Sequence, residues 1–158
     1  TSMGADISLL SPREQAGEPV ADIRIRYRRL HAATVQGDSI PRSIDEIPVI
    51  AVAAATASGK TIITDAAELR VKESDRIATI AAELRKMGAA VRELPDGLEI
   101  IGRERLSGAT CESYGDHRIA MSLAVAGLMA SGQTVVRDAE WIETSFPGFE
   151  RMLRQSAY

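Results

Sequence analysis

Apolar and charged residues alternate along Val20-Ala21-Asp22-Ile23-Arg24-Ile25-Arg26-Tyr27, which puts one kind on each face of an extended segment. This period of two predicts a strand. Gly97–Gly102 reads as a weaker strand, and the β-branched runs after Lys60 and Gln133 predict two more. Strands are also expected at Asp6–Leu10 and Ala90–Leu94, each following a Met-Gly-Ala triplet whose glycine can end a helix. A different period governs Ser74–Met87. There Ile77, Ile80, Ala81, Leu84 and Met87 fall on one helical face. Asp45–Ala57 and His117–Ala130 predict two further helices. The stretch from Ile119 to Ala130 is apolar almost all round and too short to span a bilayer, so it is expected to be buried inside the protein.

The pattern repeats. Met3-Gly4-Ala5-Asp6-Ile7 returns as Met87-Gly88-Ala89-Ala90-Val91, and Leu30–Thr34 returns as Leu106–Thr110. Ala57–Ala66 returns as Ala130–Ala139, in the same order. One structural unit copied twice, over about residues 3–86 and 87–158, accounts for this. The expected class is α/β. Residues 3–7 read as a helix end turning into a strand, so the chain is expected to be part of something longer.

Composition narrows the class. The 158 residues are 45% hydrophobic but only 4% aromatic, so Ala, Val, Ile and Leu must fill the core. A net charge of -3 argues against a general nucleic-acid or membrane surface. A lone Cys111 excludes an intramolecular disulfide and a cysteine zinc cage, and points to a reducing, cytoplasmic setting.

Ala53–Thr61 comes close to a nucleotide-binding P-loop, with Gly59-Lys60-Thr61 in the expected places and Ala54 where its first glycine belongs. A P-loop needs strand, loop, then helix, because loop amides and a helix N-terminus must face the phosphates. Here a helix runs into Ser58-Gly59 and a strand leaves it. The second copy has Gln133 in place of Lys60. Gly59 and Gly132 therefore read as helix stops.

Three charged clusters sit at predicted helix N-termini: Ser43–Pro48 with Asp45 and Glu46, Leu69–Ile77, and Tyr114–Met121 with Asp116, His117 and Arg118. Free amides and the positive dipole end favour anions there. Lys72, Arg76 and Arg118 at such ends call for a phosphate or carboxylate to compensate them. Asp45, Asp75 and Asp116 can equally serve as N-caps.

With "IDEIPVIAVAA", "ELRVKESDRI", "DHRIAMSLAVAGL" and "TSFPGF" in order, the chain resembles the C-terminal part of the 5-enolpyruvylshikimate-3-phosphate synthases. The resemblance implies βαβαββ units with buried helices and outer sheets, the inside-out α/β barrel of the enolpyruvyl transferases, here in part. It also implies a missing N-terminal domain, a cleft between domains, and transfer of the enolpyruvyl group of phosphoenolpyruvate to the 5-hydroxyl of shikimate 3-phosphate. No metal or cofactor is implied. By position, Asp45 resembles the residue that binds the shikimate hydroxyls and takes the proton from the attacking one. Lys72 resembles the lysine between the substrates, and Glu73 the carboxyl that works on the methylene carbon. Arg76 and Arg118, with His117 beside them, resemble the phosphoenolpyruvate site. Thr144 stands where many members carry a substrate-binding lysine and Glu68 where some carry an asparagine, differences that resemble the glyphosate-tolerant class. Alternatives are the related transferase acting on UDP-N-acetylglucosamine and a non-catalytic anion-binding module. Isolated from its first domain, the chain is expected to be inactive and to self-associate.

Overall fold

The computed structural model describes residues 2–156. The chain opens with a hairpin, β1 (Asp6–Gln15) and β2 (Glu18–Arg26), then a short β3 (Thr34–Val35) and a helical turn α1 (Ser39–Ser43). A 3-10 turn at Ile44–Glu46 leads into α2 (Ile47–Thr56), followed by β4 (Lys60–Ile63) and a second 3-10 turn at Ala67–Val71. Next come α3 (Arg76–Lys86), β5 (Ala90–Leu94), β6 (Gly97–Ile101), β7 (Leu106–Ser107) and β8 (Thr110–Glu112). The chain continues through α4 (His117–Leu128), β9 (Ala130–Ser131), β10 (Val135–Arg137), a 3-10 turn at Ala139–Trp141, α5 (Ile142–Ser145) and α6 (Phe149–Ser156).

Strands β3, β4, β6 and β5 form one sheet in that order, with β3 parallel to β4 and the other pairs antiparallel. Helix α2 packs on α4, α3 and β6, while the parallel pairs β8–β10 and β7–β9 lie against α3 and α4. The face predicted for α3 is the one buried: Ile77, Ile80, Ala81, Leu84 and Met87 all lose essentially all contact with solvent. Alanines at 51, 54 and 55 let α2 approach its neighbours closely, as a core poor in aromatics requires. No helix is long and apolar enough to cross a membrane among the described residues.

Local signals explain the ends of these elements. Asp75 caps α3 by accepting from the Ala78 amide at 3.0 Å, and Asp116 caps α4 by accepting from the amides of Arg118 and Ile119. Gly88 takes φ +81° just past α3 and donates to the Arg85 carbonyl, the left-handed stop expected of it. A side chain there would also strike the Arg103 guanidinium, which donates to the Gly88 carbonyl.

Two expectations need correction. Asp45 caps nothing: it lies in the 3-10 turn, the residue before α2 is Glu46, and neither caps that helix through its side chain. Helix α4 is only part-buried. Ile119, Ala120, Leu123 and Ala126 are in the core, but Leu128 is half exposed because no described element covers that side. The β1–β2 hairpin is bare in the same way. Ile7 pairs with Ile25 and Leu9 with Ile23, so four apolar side chains share one face, and Ile25 is 70% exposed.

These burials set distinct mutational costs. Leu84→Ala is expected to destabilise the protein by about 2 to 5 kcal/mol in urea unfolding. Ile23→Ala on the bare hairpin face is expected to change it by no more than about 0.5 kcal/mol. Equal costs at the two positions would contradict the packing described.

Candidate active site

Arg76, the first residue of α3, is buried, and its guanidinium is surrounded by carboxylates from three segments. Nε donates to Asp116 Oδ2 at 2.8 Å, Nη1 to Asp45 Oδ1 at 2.9 Å, and Nη2 to Glu73 Oε2 at 2.7 Å and Asp116 Oδ1 at 3.3 Å. Burial works against the charge of Arg76, but hydrogen bonding and attraction from Asp116, Glu73 and Asp45 outweigh it and raise its pKa further. The fully buried Asp116 mirrors this. Desolvation pushes its carboxyl pKa up, yet Arg76, the Ser74 hydroxyl at 3.0 Å and the Arg118 amide at 2.9 Å hold it below the usual aspartate value.

Two more cations flank this centre nearer the surface. Lys72 Nζ lies 2.5 Å from Glu68 Oε1 and 3.9 Å from Asp45 Oδ1. The Glu68 hydrogen bond raises its pKa against some desolvation, and Asp45 adds to the rise while Arg76 opposes it. Arg118 Nη1 donates to Glu46 Oε1 at 2.7 Å and to the Asp45 carbonyl at 3.3 Å. His117 is half-buried in the first turn of α4.

Asp45, Lys72, Glu73, Arg76 and Arg118 thus form one connected network, with His117 adjacent in sequence to Arg118. Arg76 differs from the expectation of an open anion ligand. Four of the five guanidinium N–H groups are already given to carboxylates. An incoming anion has one N–H left, on Nη1, unless Asp45 or Glu73 gives way. Asp116 does more than cap, and Ser74 and Glu46 complete the network. None of these three roles has a local sequence signal, because each partner lies about 40 or 70 residues away. Thr144 sits in α5, where its hydroxyl donates to the Trp141 carbonyl.

Lys60 is elsewhere. It begins β4, beyond the C-terminal end of α2, and its ammonium pairs with Glu99 at 3.3 Å. The helix-stop reading of Gly59 and Gly132 needs correction: α2 ends at Thr56 with Ala57 already extended, and α4 ends at Leu128 with β9 before Gly132, so both left-handed glycines serve the turn into the next strand. A strand follows Gly59, so no helix N-terminus faces this lysine as a P-loop requires. Among the described residues, no three His, Cys, Asp or Glu side chains are grouped so as to hold a metal ion.

A family model for EPSP synthase (3-phosphoshikimate 1-carboxyvinyltransferase) matches residues 1–153. The chain belongs to the EPSP synthase family. It is 62% identical over 154 residues to the 3-phosphoshikimate 1-carboxyvinyltransferase of Pelotomaculum thermopropionicum, covering 97% of this chain and 36% of that protein. To the enzyme of the same name from Desulforudis audaxviator it is 59% identical over 152 residues, covering 96% of this chain and 35% of the relative. A solved EPSP synthase from Acinetobacter baumannii superposes with a TM-score of 0.92 at 43% identity, over 98% of this chain and 36% of that one. The chain therefore carries the α/β fold of the EPSP synthases over about a third of its relatives' length.

The buried pair also sets a pH dependence. Asp116 has a folded pKa below its unfolded value of about 3.9, so its stabilisation is complete above that value. It is lost as the pH falls through the folded pKa. Asp116→Asn is expected to cost about 3 to 5 kcal/mol at pH 7. In urea unfolding, the gap to the unaltered chain should close as the solution is acidified below about pH 4. A gap that stays constant would show that the Asp116 charge is not what Arg76 needs.

Proposed function

We propose that this chain supplies one wall of the active site of a 3-phosphoshikimate 1-carboxyvinyltransferase, joining the enolpyruvyl group of phosphoenolpyruvate to the 5-hydroxyl of shikimate 3-phosphate. The observation that carries this is the single network joining Asp45 and Glu73 through Arg76, with Lys72 and Arg118 beside them. The names of the relatives and the match over residues 1–153 support it.

Each residue has a task that its placement allows. Arg118 and Lys72 meet the anionic groups of the substrates, exchanging their surface partners Glu46 and Glu68 for phosphate or carboxylate. Asp45 accepts the proton as the hydroxyl oxygen bonds to the central carbon of phosphoenolpyruvate. Glu73 gives a proton to the methylene carbon and takes one back as the bond to phosphate breaks, so the products are the enolpyruvyl ether and inorganic phosphate. Arg76 fixes both carboxylates at the spacing of its two terminal nitrogens and lends its remaining N–H to phosphoenolpyruvate. His117 orients the start of α4. Fixed donors of this kind stabilise developing charge without reorganising during the reaction.

The rest of the relatives' length would supply the N-terminal domain and close the cleft. Two copies of one unit, about 3–86 and 87–158, fit the matched left-handed glycines, Gly4 with Gly88 and Gly59 with Gly132. The lone, buried Cys111 suits a reducing cytoplasm. Alone, the chain is expected to self-associate through its bare hairpin face and to show no turnover, because an open half-cleft leaves both substrates in water.

A chimera tests the reading. Residues 2–153 are placed into the corresponding segment of the Pelotomaculum thermopropionicum protein, and phosphate release from phosphoenolpyruvate plus shikimate 3-phosphate is followed. Turnover is expected, falling about 100- to 10,000-fold with Glu73→Gln. A chimera that turns over equally well with Glu73→Gln would remove Glu73 from the chemistry. Binding of the UDP-sugar in place of shikimate 3-phosphate would overturn the substrate.

A further inference from the structure

Helix α3 grips the segment that leads into α4 at two points, and only one belongs to the network above. The first is Arg76 on Asp116. The second lies two helical turns later, at Glu83, a carboxylate with no exposure to solvent. Glu83 Oε1 accepts from the Tyr114 hydroxyl at 2.7 Å, Oε2 accepts from the Glu112 amide at 3.1 Å, and the Lys86 ammonium donates to both oxygens at 2.7 and 2.9 Å. Three donors from two segments thus satisfy one buried acid.

What Glu83 holds is a turn that the backbone resists. Tyr114 has φ +57° and Gly115 φ +71°, two consecutive left-handed residues. Glycine tolerates that region, whereas a tyrosine pays a steric penalty for it. The turn is pinned at its base as well. The buried Ser113 hydroxyl donates to the Asp138 carbonyl at 2.8 Å, and the Gly115 amide donates back to Ser113 Oγ at 3.2 Å. Directly after the turn come Asp116, His117 and Arg118. A rotation about Tyr114 therefore moves all three together.

We propose that Glu83 and Tyr114 are positioning residues. Their hydrogen bond holds the left-handed Tyr114–Gly115 turn in the one conformation that presents Arg118 to a phosphate or carboxylate while keeping Asp116 on Arg76. This rests on the reading of Arg118 as an anion ligand. The exposure of the Tyr114 ring supports a role beyond packing. Close to half of the residue faces solvent, and the hydroxyl end reaches inward to the acid. Hydrogen bonding to Glu83, with burial, raises the phenol pKa, so the donor stays protonated at neutral pH.

A reporter is already in place. Trp141, the sole tryptophan, stands beside the turn: a Cβ added at Gly115 would lie 3.7 Å from its indole nitrogen. The 158-residue chain is titrated with phosphoenolpyruvate, followed by phosphorus NMR, and Trp141 emission is recorded for each variant. Tyr114→Phe keeps the ring and loses only the hydroxyl. It is expected to weaken phosphoenolpyruvate binding at least 5-fold and to shift Trp141 emission in the folded protein. Glu83→Gln retains an acceptor oxygen and is expected to recover most of the affinity. Combined with Tyr114→Phe, it should weaken binding no further than Tyr114→Phe alone. A purely structural contact would lower the melting temperature and leave affinity and emission of the folded chain unchanged, and that result overturns the proposal. If neither the unaltered chain nor the chimera described above binds phosphoenolpyruvate, or Arg118→Gln in the chimera leaves that binding unchanged, the anion-site reading fails. Trp141 emission in Tyr114→Phe then still decides whether the turn is held by Glu83.

Discussion

One guanidinium organises this structure. Arg76 is buried at the start of α3, and it is tolerated there because Asp45, Glu73 and Asp116 reach it from three directions. A charge out of water costs several kcal/mol, and its partners return that only when the geometry leaves few groups unpaired. The dependence runs both ways. The 44–46 turn, the residues before α3 and the N-terminus of α4 come together because each delivers a carboxylate to the same cation. Removing Arg76 would leave the buried Asp116 charge uncompensated, and removing Asp116 would take away the one fully buried partner of Arg76.

That constraint also grades the site by depth. At the centre, Arg76 and Asp116 are shielded from solvent and their attraction is little screened. Toward the surface, Lys72 and Arg118 are paired with Glu68 and Glu46, which are more than half exposed. Exposed ion pairs contribute little because water screens them, so an incoming anion can replace either glutamate at small cost. A rigid core of fixed charge with exchangeable cations around it suits the binding of small multiply charged substrates. Every buried side-chain nitrogen and oxygen of the network has a partner; among the described residues only the Thr134 hydroxyl oxygen, outside it, has none.

Much of this was legible in the sequence because its causes are local. The buried face of α3, strand β5, the caps at Asp75 and Asp116 and the stop at Gly88 all follow from spacing and residue type within a few positions. So does the rejection of the Lys60 motif, since element order alone decides it. The convergence of charged helix ends was foreseeable from the clusters and from the family resemblance. The burial of Arg76 was not. An arginine in the first turn of a helix reads as exposed until acids from positions 31 and 40 residues away are known to surround it. Asp45 looked like a cap because a cap and a distant ion-pair partner share the same residue type. Glu83 carries no sequence signal of its own, since a buried acid and a surface helix charge are the same residue type. The bare hairpin escaped notice because alternation shows which face is apolar and says nothing of what covers it.

The claim that the site hangs on a buried, immobilised Arg76 can be observed directly by nitrogen-15 NMR of the arginine side chains. The folded chain should show one guanidinium whose terminal N–H signals are separate and exchange slowly with water, lost on Arg76→Lys and averaged on Asp116→Asn. An Arg76 that rotates freely and exchanges as fast as the exposed Arg154 would contradict the account.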